Sequence, residues 1–296
     1  MGFFKSLFGG ATESPEEKKR EEESKNFDVL KYDGVRALNQ GQAAYAVRCF
    51  EHALELRDDL ETRDYLSTAY VRIGDLLPAY EQLQKLAEAQ PDNQQILMRM
   101  AEVAYMMEDY GALSAACEKA LLLDNENPVV HYLYARGCAG QGDDVNAIAM
   151  LTKAITLKED YADAYLMRGE TLLKMGDVAG ADEDVKWLVE HISDNEDILL
   201  LKARVEEAKG EADNALLIYN KVIELNPFNV AAFRGRGALK LAMGDKKGAE
   251  EDMHTVLELN PHEMDGVNGE YTAEGTEDIA QKVQQAYRNN NPFGLG

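Results

Sequence analysis

Cysteine is scarce in this chain. Cys49, Cys117 and Cys138 are the whole supply, an odd number with no Cys-x-x-Cys spacing. A disulfide framework or a zinc finger needs more, so the three read as small buried hydrophobes in a reducing compartment. Long hydrophobic runs are also missing: no stretch reaches the ~18 apolar residues that a membrane-spanning helix needs, and no cleavable signal is read. The histidines, His52, His131, His191, His254 and His262, are scattered with no His-Glu-x-x-His, the geometry of a helical metal site. Basic residues are outnumbered, 31 Lys and Arg against 54 Asp and Glu, for a net charge of −23. Nucleic-acid binders show a basic face, so a nucleic-acid partner is excluded. Gly235-Arg236-Gly237 follows no strand pattern, so the context of a phosphate-binding loop is absent. No catalytic, cofactor-binding or metal-ligating residue is nominated, and the chain reads as not an enzyme.

What is present is a period. Gly142-Asp143, Gly176-Asp177 and Gly244-Asp245 fall in one register with Gly74-Asp75, Glu108-Asp109 and Gly210-Glu211, each step being 34 residues. Gly41-Gln42 starts the series 33 residues before Gly74. A fixed period in this range marks a stacked repeat. Seven repeats follow, at 27–59, 60–93, 94–127, 128–161, 162–195, 196–229 and 230–263.

The eighth position of each repeat is small: Gly34, Ser67, Ala101, Ala135, Gly169, Ala203 and Gly237. The twentieth is Ala in six repeats and Leu113 in the third. The twenty-fourth is bulky in most, as in Phe50, Leu83, Leu151 and Tyr219, with Cys117 as the small exception. Small positions let two helices approach closely, and apolar residues spaced by three and four predict amphipathic helices. Gly at the fifteenth position can end one helix in the left-handed conformation, and Asp at the sixteenth can cap the next. Pro91, Pro227 and Pro261 close second helices, while Pro128 and Pro78 fall in first turns, where proline is tolerated.

This pattern resembles the tetratricopeptide repeat over residues 27–263. Phe233, Gly237, Gly244, Asp245, Ala249 and Pro261 of the last repeat show the likeness best, and Arg63, Leu113, Glu206 and Lys240 depart from it. The resemblance implies an all-α fold: a right-handed superhelical solenoid of seven helix-turn-helix repeats with a C-terminal capping helix. The cap is expected from Thr276, with Ile279, Val283, Ala286 and Tyr287 as its apolar stripe, inside a terminal region 264–296 of loop, helix and disordered tail. Residues 1–26 are expected to form a separate, mobile segment: an apolar start, Phe3-Phe4-Lys5-Ser6-Leu7-Phe8, then a charged tether.

The resemblance also implies the function, a cytoplasmic scaffold or adaptor that binds a protein or peptide in the concave groove lined by first helices. The residues nominated there are Tyr65, Thr68, Arg99, Glu102, Tyr132, Arg136, Glu170 and Arg204. Aromatics and Arg are the types enriched in binding hot spots. Glu102, Arg136, Glu170 and Arg204 share the ninth position, and their alternating sign predicts a ladder of charge pairs. The family's chaperone-tail carboxylate clamp is not expected: Lys31 and Arg99 match it, but Val35, Tyr65 and Gln95 do not. A second reading is a membrane-recruited assembly factor, peripheral at the bilayer through residues 1–10, whose Met-Gly-x-x-x-Ser start fits an N-myristoylation pattern. Trp187, the one tryptophan, takes a position that is Lys in four other repeats, and is expected to stay partly exposed as a contact outside the groove.

Overall fold

A computed structural model describes residues 14–261. Fourteen helices and no strands occur among them, and the fold is an all-α repeat solenoid. The expected apolar start at 1–10 and the capping helix from Thr276 lie outside the described residues.

The first compact unit is Met1–Gln141. Its helices are α1 (Pro15–Asn39), α2 (Ala43–Leu56), α3 (Leu60–Ile73), α4 (Leu76–Ala89), α5 (Gln94–Met106), α6 (Tyr110–Leu123) and α7 (Pro128–Gly140). Each packs on the next along the chain, and the first helices also touch one another, α1 on α3 and α5 on α7. Residues 15–26 are helical and run without a break into the first repeat. The second unit is Gly142–Gly296. It holds α8 (Asp144–Leu157), α9 (Ala162–Lys174), α10 (Val178–His191), α11 (Glu196–Ala208), α12 (Ala212–Leu225), α13 (Val230–Ala242) and α14 (Lys246–Leu259). The same neighbour-on-neighbour packing holds within it.

The small positions do what their size suggests. Ala46, Ala79, Ala147, Ala181 and Ala215 are all fully buried. At Gly34, a Cβ would sit 2.5 Å from the Phe50 ring, so α1 and α2 could not keep their spacing with any larger residue there. Turn geometry follows the Gly-Asp register. The six glycines of the series have positive φ, and so does Glu108, at φ 57°, where the third repeat lacks glycine. Asp109, Asp143, Asp177 and Asp245 accept backbone N–H groups of the next helix's first turn. Asp75 holds the corresponding place at α4 without a side-chain cap.

Candidate functional site

Of the nominated residues, the structure first gathers Thr68 and Arg99. The Arg99 guanidinium donates to the Asp64 carboxylate, to Ser67 Oγ at 2.6 Å and to Thr68 Oγ1 at 3.1 Å. All three acceptors belong to the preceding repeat, so Arg99 stitches α5 to α3. Tyr65 is also engaged: its ring stacks on Phe50 at 5.7 Å and its hydroxyl donates to Glu61 at 3.3 Å. Burial, then the Glu61 carboxylate, pushes the Tyr65 phenol up.

Arg136 behaves differently. Its guanidinium carbon lies 3.5 Å from the Tyr105 ring centroid on α5 and 5.9 Å from the Tyr132 ring on its own helix. A guanidinium over an aromatic face is attracted by the ring quadrupole and leaves its N–H edge free to donate. Among the described residues no carboxylate lies within ion-pair distance of Arg136, and Glu102, the expected ladder partner, stays exposed on α5. The ladder rung between Glu102 and Arg136 is therefore replaced by stacking on Tyr105. In the second unit a rung does form: Arg204 lies 3.8 Å from Glu170, with both side chains more than a third exposed. An exposed pair of this kind contributes at most about 1 kcal/mol.

Trp187 is half-buried. Its indole stacks on Tyr165 at 3.9 Å and on His191 at 4.2 Å, both nearly parallel. His191 Nδ1 donates to the Trp187 carbonyl at 2.7 Å. The ring thus folds down over α9 and stays partly exposed.

Sequence reasoning missed the best-formed ionic groups. Arg168 donates twice to Asp184, at 2.9 and 2.6 Å, and once to Thr152 at 3.1 Å. Arg236 repeats the arrangement with Asp252 at 2.9 and 2.5 Å and Asn220 at 2.7 Å. Asp184 and Asp252 are almost completely buried. Burial pushes the Asp184 carboxyl up while Arg168 pulls it down. The available signal was the shared offset: both couples join residues 16 apart, at the same two places in the fifth and seventh repeats. These couples tie first to second helices and present no reacting group to solvent. No cluster of three or more His, Cys, Asp or Glu able to hold a metal occurs among the described residues, and the three cysteines are buried.

A tetratricopeptide-repeat family model matches residues 166–230. A tetratricopeptide repeat protein from Parabacteroides merdae superposes with a TM-score of 0.69, covering 88% of this chain and 99% of its own at 15% identity. Residues 166–230 thus match the tetratricopeptide repeat, and the fold is that of solved tetratricopeptide-repeat proteins. The array is also similar to YrrB, described as having an unusual peptide-binding site, with a TM-score of 0.50 and 20% identity over 62% of this chain and 94% of that one. Among curated relatives, DnaJ homolog subfamily C member 3 of Gallus gallus is 21% identical over 296 residues, 96% of this chain and 53% of the relative. Tetratricopeptide repeat protein 16 of Homo sapiens is 23% identical over 237 residues, 77% of this chain and 24% of the relative. The chain spans about half or less of the length of the curated relatives it matches. At these identities the likeness to the solved structures carries the fold of the tetratricopeptide-repeat array and not a partner.

Proposed function

We propose that this tetratricopeptide-repeat protein is a non-enzymatic scaffold. Its first helices bind an extended segment of a partner protein, with Tyr105, Tyr132 and Arg136 as the anchor in the first unit. One observation supports this reading above the others. Arg99 and Arg204 are each engaged by a carboxylate of the chain, Asp64 and Glu170, whereas Arg136 is presented on aromatic rings with no carboxylate partner among the described residues. A stacked, pre-oriented guanidinium loses little entropy on binding and takes a carboxylate in a two-pronged geometry. The segment that fits it carries an acidic side chain flanked by apolar residues for the two tyrosines. Lys31, the residue that matches the chaperone-tail clamp, is already held by Asp59 at 2.9 Å and Glu61 at 2.6 Å, which argues against that mode.

A photo-crosslinking amino acid at position 132, followed by affinity capture and mass spectrometry, identifies the bound segment. With that segment as a synthetic peptide, Arg136→Gln weakens binding tenfold or more while melting is unchanged. Equal affinity for the variant removes this face from the site.

A further inference from the structure

One face of the first repeat is more open than its counterparts in the other repeats. Val29 is the third residue of its repeat and is 60% exposed. The residues in the same place in the other six, Thr62, Ile96, Val130, Ala164, Ile198 and Ala232, are at most 6% exposed. One turn on, Tyr32 is 81% exposed, where Leu133 and Leu201 are buried and Tyr65, Arg99, Met167 and Gly235 half-buried. Another turn on, the Arg36 side chain is 68% exposed, where Ala69 and Val205 are fully buried. These three places form the stripe by which a first helix stacks on the repeat before it. Among the described helices α1 packs only on α2 and α3, so the stripe is left without a neighbour.

We propose that residues 3–8 of this same chain cover the stripe. Four large apolar side chains, Phe3, Phe4, Leu7 and Phe8, stand within six residues there, and none occurs from 13 to 26. The reach is sufficient. From Pro15, where α1 begins, Val29 is 14 residues along the helix and Tyr32 is 17, roughly 21 and 26 Å at a rise of 1.5 Å per residue. Extended chain spans about 3.3 Å per residue, so Phe8 can return about 23 Å and Phe4 about 36 Å. Such a tether places the segment at millimolar effective concentration beside its site. Lys5 then lies along a helix rich in exposed Glu, including Glu21 and Glu22. The same charge disfavours an anionic bilayer as the occupant: Lys5 is the only cationic side chain in residues 1–10, on a chain of net charge −23. A second copy has to overcome that charge as well, without the tether.

The test uses the full chain carrying Phe4→Cys and Tyr32→Cys together; the three native cysteines are buried. Mild oxidation gives an intramolecular disulfide in the monomer at a rate independent of protein concentration, and neither single variant does. Disulfides formed only between chains assign the face to a second copy and overturn the proposal. Absence of any disulfide overturns it too, whether or not the protein floats with phosphatidylcholine–phosphatidylserine vesicles. In a separate measurement without cysteines, Phe4→Asp with Phe8→Asp raises hydrogen exchange at the amides of 29–36 several-fold, with helicity unchanged. Unaltered exchange there overturns the docking.

Discussion

Gly137 on α7 has no side chain because Leu113 of α6 fills the space: a Cβ at Gly137 would sit 2.6 Å from Leu113 Cδ2. Leu113 is the one residue that breaks the run of alanines at its position, and it is fully buried. The extra volume of Leu in one repeat is thus taken out of the next. Gly137→Ala should cost about 1–3 kcal/mol, the usual range for overpacking. In the Leu113→Ala background the same change should cost much less. Urea unfolding of the two single variants and the double gives the coupling, and strictly additive effects would show that the two positions are independent.

Glu108 occupies a left-handed position, φ 57°, that six sibling turns give to glycine. An ordinary residue in that conformation costs roughly 1–2 kcal/mol, part of which glycine returns as unfolded-state entropy. Glu108→Gly should therefore stabilise the protein by up to about 1 kcal/mol, read as a higher melting temperature. A lower melting temperature would mean that Glu108 makes a contact worth more than its strain.

Acid should release one specific tie. Partial burial opposes ionisation of Asp59, but bonds from Thr62 and Lys31 outweigh it and hold the carboxyl at about 2, below its ordinary 3.8. A carboxyl lowered by folding contributes stability that is complete above its unfolded pKa and is lost as pH falls through the folded one. The difference in stability between wild type and Asp59→Asn should be steady above pH ~5, on the order of 1–2 kcal/mol, and shrink between pH ~4 and ~2. A difference that does not change with pH in that window would contradict the assignment.

The Arg168–Asp184 couple invites a direct test. Asp184→Ala leaves a largely buried guanidinium with one hydrogen-bond partner, Thr152, and should cost about 3 kcal/mol or more. Asp252→Ala should do the same at Arg236, where Lys240 also loses its partner at 2.9 Å. Calorimetry of each variant gives the cost. A loss below about 1 kcal/mol would place these pairs with exposed surface bridges.

Much of this architecture was legible in the sequence because it repeats. Gly34, Ala46 and Gly142 recur in register, and a periodic demand for small side chains or left-handed turns cannot be met without leaving a periodic trace. Asp184 and Arg168 left only a faint one, since two repeats alone carry the couple and the acidity of the whole chain hides one more Asp. The charge ladder failed at Arg136 for a related reason. Residue sign was visible at one position per repeat, but the competing Tyr105 ring sits at another, and only packing shows which lies nearer. The sequence nominates Arg99 as a groove contact. Its acceptors, Asp64, Ser67 and Thr68, lie 31 to 35 residues upstream, a separation that no local pattern exposes. The stacking of Trp187 on Tyr165 and His191 depends on α9 lying beside α10, which its place in the repeat does not reveal.

The stack around Trp187 also gives the protein a built-in optical label. The chain has one tryptophan, and it lies in the second of the two compact units. Indole emission therefore watches that unit by itself, while far-ultraviolet ellipticity averages over helices of both. If the halves melt at different temperatures, the two spectroscopic curves of unmodified protein will separate, and their order will say which half gives way first.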